Sequence, residues 1–264
     1  MTETLTPEAI APGLGTRVIG RWVLCYQTIT STMDMARQAA REGAPEGTVV
    51  VAEEQTAGKG RQGRSWVSAP GNLTFTIVLK PALAELPSLN MVASLAVVQA
   101  VARVIGLRAS IKWPNDVLIG SRKLCGILVD SEVTGREVGF SLVGIGLNVA
   151  LDPTQHPEIA DIATSLSHEA GHPVSRLAVL RALLQEADAL YLRVREARVG
   201  APLLGEWRRH MAMLGQRVAI MESGAVVRDG IAEDVAEDGS LLLRLPDGRL
   251  ITVLAGQVSL RPAK

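Results

Sequence analysis

Gly58-Lys59-Gly60-Arg61-Gln62-Gly63-Arg64-Ser65-Trp66-Val67-Ser68-Ala69-Pro70-Gly71 is the stretch on which the fold turns. It follows a valine-rich run at Thr48–Ala52 that reads as a strand, and its first six residues match G-x-G-x-x-G, the phosphate-binding turn of dinucleotide folds. In those folds a helix opens at this turn, because the pyrophosphate rests on the helix N-terminus. Here Pro70 and Gly71 forbid a long helix, and the next apolar run, Leu73–Leu79, reads as another strand. Strand, glycine loop, turn and strand argue against a doubly wound parallel sheet. The loop nevertheless keeps a phosphate-binding chemistry. Lys59, Arg61 and Arg64 put three cations within six residues with no acid between them, and the glycines admit positive φ and close backbone approach. Trp66 adds a flat apolar face suited to a nucleobase. Such a loop is expected to order around an anion. Taken alone, a solvated basic loop or a nonspecific nucleic-acid contact explains it equally well.

Three further blocks lie downstream. In Lys112-Trp113-Pro114-Asn115-Asp116 the last two residues favour a turn, and a carboxylate beside a phosphate site is a natural Mg²⁺ ligand. Arg122-Lys123-Leu124-Cys125-Gly126-Ile127-Leu128 reads as a strand. Its Lys123 suits a carboxylate or an α-phosphate, and Gly126 lets a ligand approach the backbone. Gly144-Ile145-Gly146-Leu147-Asn148 leaves a flat strip on one strand, with Asn148 able to donate to and accept from an adenine edge. Upstream, Ser31-Thr32 precede a helix and can cap it or donate to a ligand carbonyl, and Gln55 offers a second amide for the same task. Each block also has a plain structural reading: turn, strand end, bulge or cap. His168-Glu169-Ala170-Gly171-His172 matches the H-E-x-x-H zinc motif literally, but Gly171 and Pro173 point to a helix ending there, which takes the second histidine off the helix face.

The formal net charge is zero, which argues against a whole-protein basic field for nucleic acid. Apolar residues are 47% and aromatics only 3%, so a real core is expected and must be aliphatic. Cys25 and Cys125 lack metal-ligand spacing and read as buried, reduced thiols of a cytoplasmic protein. The first twenty residues lack a basic segment followed by an apolar run, so no signal peptide is expected. The apolar stretch Met91–Leu107 is interrupted by Gln99 and Arg103 and reads as a core helix, so no membrane partner is expected.

The pattern predicts a loose tail over 1–16 and a strand over Arg21–Gln27. A helix begins at Ser31 or Thr32 and stops at Gly43, and a long apolar helix spans Ser88–Ile105. Short strands follow at Ile111, Val117–Ile119, Leu124–Val129 and Glu137–Leu151. A loop spans 152–174, an amphipathic helix Leu177–Val194, and a short helix Leu203–Met211. From Leu214 short strands alternate with turns at Ser223-Gly224, Asp238-Gly239 and Asp247-Gly248, the signature of β-hairpins and a small barrel. The expected division is a tail at 1–16, a main domain at 17–212 and a C-terminal domain at 213–264.

The joint occurrence of these blocks, in this order, resembles the biotin protein ligase family over roughly residues 17–260. The resemblance implies an α+β fold. A mixed β-sheet with flanking helices, akin to class II aminoacyl-tRNA synthetases and lipoate ligases, would be followed by a small SH3-like β-barrel. It implies a biotin- and ATP-binding catalytic domain that makes biotinyl-5'-AMP, releases pyrophosphate, and passes biotin to a lysine of a biotin carboxyl carrier domain of acyl-CoA or pyruvate carboxylases. By the same resemblance Ser31, Thr32 and Gln55 line the ureido end of the biotin pocket. Lys59, Gly60 and Arg61 wrap the biotin carboxylate and adenylate phosphate, Lys123 contacts the biotin carboxylate and the α-phosphate, and Gly126 belongs to the biotin-binding set. Arg64, Trp66, Asn115 and Asn148 attend the ATP or adenylate, and Asp116 faces Mg²⁺ and the acceptor lysine. Lys123, Arg61 and Asp116 would carry the chemistry.

Three positions depart from the family pattern: Met33 where Asn is frequent, Lys59 where Arg is usual, and Gln62 where a further Arg is common. Some members carry an N-terminal helix-turn-helix domain. The tail of about sixteen residues ahead of the main domain is too short for one, so an enzyme without specific DNA binding is expected. An edge strand of the sheet offers pairing across a homodimer. A lipoate ligase, a nucleic-acid-binding module and an inactive adenylate-binding scaffold stand as competing readings.

Overall fold

The two-residue alternation of the central strands sorts their side chains onto two faces, and this positions everything else. The computed structural model describes residues 3–68, 70–156, 159–197, 201–222, 225–255 and 258–262. In chain order its elements are α1 (Pro7–Ile10), β1 (Val23–Ile29), α2 (Thr32–Arg41), β2 (Val49–Gln55), β3 (Leu73–Leu79), α3 (Leu89–Ile105), β4 (Ser110–Lys112), β5 (Asp116–Ile119) and β6 (Arg122–Thr134). They continue with β7 (Glu137–Leu147), α4 (Leu166–Ala170), α5 (Arg176–Glu196), α6 (Leu204–His210), β8 (Arg217–Glu222), β9 (Ala225–Val235), β10 (Leu241–Arg244), β11 (Leu250–Val253) and β12 (Val258–Pro262). The turns read at Ala69 and at Ser223-Gly224 lie outside the described residues.

Seven strands form one sheet in the order β1-β2-β3-β7-β6-β5-β4. β1 and β2 are parallel, joined through α2, and every other neighbouring pair is antiparallel, so the sheet is mixed as expected. On β7, Val143, Ile145 and Leu147 enter the main core, which α3 and α5 cover. Leu142, on the opposite face, joins a smaller cluster with Met33, Val50 and Val78 under α2, and Gly144 on that face lies against Met33. α3 is buried along most of its length, which explains a helix that is apolar nearly all round.

The last five strands form a separate antiparallel sheet in the order β11-β10-β9-β8-β12, the small SH3-like unit. Its aspartate-glycine turns place Gly239 and Gly248 at φ +79° and +86°. Val218, Ile220, Val235, Leu241 and Leu243 share a continuous core with Trp207 and Met213. Two hydrogen bonds reinforce the join: Trp113 Nε1 donates to Gly239 O at 2.9 Å and Arg208 Nη2 to Val235 O at 2.7 Å.

The structure corrects the loose tail expected over 1–16. Thr6 caps α1, and Leu5, Ile10 and Leu14 are buried. α5 holds this segment with charged side chains: Arg181 Nη1 donates to the carbonyls of Ala9, Ile10 and Pro12. The buried Asp188 accepts from the amides of Arg17, Val18 and Ile19, each at 2.8 Å. The expected loop at 152–174 contains α4 and a 3₁₀ turn at Pro153–Gln155. β6 runs to Thr134, beyond the expected Val129, because β7 pairs with its polar half and Arg37 and Arg41 of α2 form ion pairs with Asp130 and Glu132.

Candidate active site

The blocks singled out in the sequence converge because β2, β7, β6 and β5 bring their ends to one side of the mixed sheet. A cavity of about 270 Å³ opens there. Ser31, Thr32, Gln55, Lys59, Gly60, Arg61, Arg64, Trp66, Asn115, Asp116, Lys123, Gly126 and Asn148 all line it.

One end is polar and uncharged. Ser31 caps α2 by accepting from Met33 N at 3.2 Å. Gln55 Oε1 accepts from Thr32 N at 2.7 Å and from the Thr32 hydroxyl at 3.0 Å, and the Thr76 hydroxyl donates to Thr32 Oγ1 at 2.9 Å. With its oxygen so engaged, the Gln55 amide is oriented with its NH₂ as the remaining donor. Met33 packs its sulfur against Gly144, where an added Cβ would lie 2.7 Å from it.

The other end is cationic. Residues 58–66 fold as a short hairpin closed by Gly60 N to Arg64 O at 2.7 Å and Trp66 N to Gly58 O at 2.9 Å. Its tip requires Gln62 at φ +59°, a left-handed conformation uncommon for a residue with a Cβ. Lys59 pairs with Asp34 of α2 at 2.5 Å. Arg61 Nη1 donates to Asn115 Oδ1 at 2.9 Å, and Nη2 reaches the carbonyl of Ala255 next to the C-terminal sheet. Burial lowers the Arg61 pKa, Asp116 opposes that and Arg64 adds to it; a guanidinium stays cationic throughout. Asn115 also donates to Ile127 O at 2.7 Å, so it holds Arg61 and β6 together.

Lys123 and Asp116 sit between the two ends. They form an ion pair at 2.7 Å, and the Lys123 ammonium stands 5.6 Å from the centre of the Trp66 ring. Trp66 lies flat on two cross-strand glycines: a Cβ at Gly146 would be 2.3 Å from the indole and one at Gly126 3.0 Å from it. The glycine strip therefore carries the tryptophan, whose buried indole nitrogen has no hydrogen-bond partner among the described residues. Asn148 is 4% exposed and donates to Thr164 O at 3.0 Å, which engages one of its two amide hydrogens. Ile159, Ile162 and Ala163 complete an apolar wall that sequence reasoning missed; their segment carries proline and polar residues and lacks the period of a helix or strand. His168 lies in α4, which ends at Gly171 with φ +73°, so His172 lies outside the helix.

Among the described residues no group of three His, Cys, Asp or Glu side chains converges as a metal site. Among the described residues that line the cavity, Asp116 is the one carboxylate, a donor set that fits Mg²⁺ carried by nucleotide phosphates better than a resident ion.

Comparison with known proteins agrees with this geometry. Residues 24–148 match the biotin/lipoate A/B protein ligase family, and residues 213–261 match the biotin protein ligase C-terminal domain. The chain is 33% identical over 265 residues to the biotin–[acetyl-CoA-carboxylase] ligase of Mycobacterium tuberculosis, covering 97% of this chain and 94% of that one. It is 37% identical over 213 residues to the Paracoccus denitrificans ligase of the same name, covering 76% and 86%. The bifunctional ligase/repressor BirA of Bacillus subtilis is 40% identical over 184 residues, 68% of this chain but only 57% of the relative's length. The Aquifex aeolicus biotin protein ligase, solved with biotin and ATP, superposes with a TM-score of 0.77 at 29% identity, covering 92% of this chain and all of that one. This chain belongs to the biotin protein ligase family.

Proposed function

We propose that this protein activates biotin with ATP to give biotinyl-5'-AMP and pyrophosphate, then transfers the biotin to a lysine of a biotin carboxyl carrier domain. The observation that carries this reading is the two-ended cavity. Neutral hydroxyls and an amide suit a ureido group, and a cluster of cations suits a carboxylate and a phosphate. The biotin carboxylate is itself the nucleophile. Its oxygen attacks the α-phosphorus and the bond to the β-phosphate oxygen breaks, so the protein supplies position and charge. Lys123 and Arg61 would stabilise the charge that builds on the phosphoryl oxygens, with Lys59 and Arg64 closing the loop side. Mg²⁺ bound with the nucleotide would neutralise phosphate charge, and Asp116 is the side chain that would contact it.

In the second half-reaction the carrier lysine attacks the acyl carbon and AMP leaves. A free lysine is protonated at neutral pH, with a pKa near ~10.4, and Asp116 is the carboxylate suited to orient it and receive its proton. The hairpin at 58–66 would screen the mixed anhydride from water. The two free cysteines suit a reducing compartment, and we place the reaction in the cytoplasm.

Pyrophosphate exchange into ATP by the purified protein, with biotin or lipoate offered in turn, tests the first half-reaction. Exchange with biotin alone is expected. Exchange with lipoate alone would overturn the substrate, and exchange with neither would overturn the reaction.

A further inference from the structure

One charged cluster outside the cavity has no part in the reaction just described. Glu169 of α4 receives both Arg122 Nη2, at 2.6 Å, and the Thr164 hydroxyl, at 2.5 Å, on the same oxygen. His168 places Nε2 3.3 Å from Arg122 Nη1. These are the His and Glu of the literal zinc-like motif, gathered here around a guanidinium.

What the cluster joins matters more than the cluster itself. Arg122 adjoins Lys123, and Thr164 adjoins Ala163 of the apolar wall. Between them the backbones are laced together: Lys123 N donates to Ile162 O at 2.7 Å and Thr164 N to Lys123 O at 2.9 Å, a parallel bridge of Lys123 with Ala163. Asn148 holds the same segment through Thr164 O. The Glu169 carboxylate thus clasps, from outside the cavity, the residue before Lys123 and the residue after the wall.

We propose that Glu169 is a positioning residue for the adenylation step: it keeps Lys123 and the Ile159–Ala163 wall in one fixed relation, and so sets how the nucleotide is held against the lysine. The inference rests on the reading under Proposed function. The lysine ammonium ends a long flexible side chain, so its placement depends on where its backbone is pinned, and small displacements of such groups are costly in rate. The Arg122–Glu169 pair is partly exposed, at 38% and 18% of the side chains, so its direct share of fold stability is small. Kinetics rather than stability should therefore register its loss. Glu169→Gln keeps an acceptor for Thr164 and removes the charge that holds Arg122.

The test is pyrophosphate exchange by the full chain, comparing the unaltered protein, Glu169→Gln, and the charge-swapped double variant Glu169→Arg with Arg122→Glu. Glu169→Gln is expected to raise KM for ATP about tenfold and lower kcat several-fold, with KM for biotin changing much less. The ureido end is built on α2, β2 and β3, which this cluster does not touch. The swapped pair should recover part of the loss. Unchanged ATP kinetics in Glu169→Gln would overturn the proposal. So would a parallel rise of both KM values with a lowered unfolding temperature, which marks a merely structural role. Failure of the unaltered protein to exchange pyrophosphate with biotin would remove the underlying reading and this one with it, an outcome distinct from normal exchange in both proteins.

Discussion

Lys123 is held by one acid, Asp116, and faces one aromatic ring, an arrangement that leaves an ammonium with donors to spare for an incoming anion. Replacing it with alanine should lower the adenylation rate by ~10²–10³, the usual cost of a lost charge-stabilising donor, while KM for biotin changes less. Single-turnover formation of biotinyl-AMP measures this directly, and a near-normal rate would remove Lys123 from the mechanism. Cys25 supplies a second test at this scale. Burial, assisted by the carboxylates of Glu8 and Glu53, pushes its thiol up to about 11. The folded protein therefore holds the proton more tightly than the unfolded chain. The stability gained is complete below the unfolded thiol pKa of about 8.5 and is lost as pH rises through the folded value. At pH 8 the reactive thiolate should be roughly two-hundredfold scarcer than in a free thiol of ordinary pKa. Iodoacetamide should label Cys25 slowly in the native protein and quickly in denaturant; equal rates would contradict the burial account.

At the scale of elements, α5 carries the clearest prediction. Asp188 accepts three backbone amides from the segment that leads into β1. Asp188→Ala leaves those donors without their acceptor and should cost about 3 kcal/mol, read as a shift in the urea midpoint. The ligand cavity lies elsewhere, so exchange activity at low temperature should persist. This element also explains what the sequence concealed. Asp188 and Arg181 look like the solvated face of an amphipathic helix, and residues 1–16, with their glycines and prolines, look unstructured. Each makes sense only when the other is in place, and no local period reports such a pairing. The elements around the cavity were legible for the opposite reason. The glycine loop, the Trp-Pro-Asn-Asp turn and the paired glycines of β7 are unusual compositions fixed by local backbone demands, and a sheet brings strand ends together whatever lies between them. The second half of β6 is hidden from the sequence because Asp130, Ser131 and Glu132 lower its strand propensity, and pairing with β7 offsets that. The wall at Ile159–Ala163 had no such signature.

For the whole molecule, the C-terminal sheet shares its core with α6, and Trp113 and Arg208 tie the two units with hydrogen bonds. Heat or denaturant should unfold the chain in one transition, with near-ultraviolet and far-ultraviolet signals coinciding. A fragment ending at residue 212 should lose that cooperativity, because it would expose Trp207 and Met213's neighbours to water. Two separated transitions in the full chain would show that the join is weak. The placement of Trp66 has a consequence of another kind. The protein has four tryptophans. Trp113 and Trp207 are buried with their indole nitrogens bonded to Gly239 and Ser94, and Trp22 stands in solvent. Trp66 alone lies over a ligand cavity beneath an ammonium group, so it alone has an environment that an arriving ligand must alter. Emission from this residue would make the protein its own optical gauge of occupancy. With Trp22 replaced by phenylalanine, the remaining ligand-dependent change in intensity should titrate with biotin and vanish in Trp66→Phe.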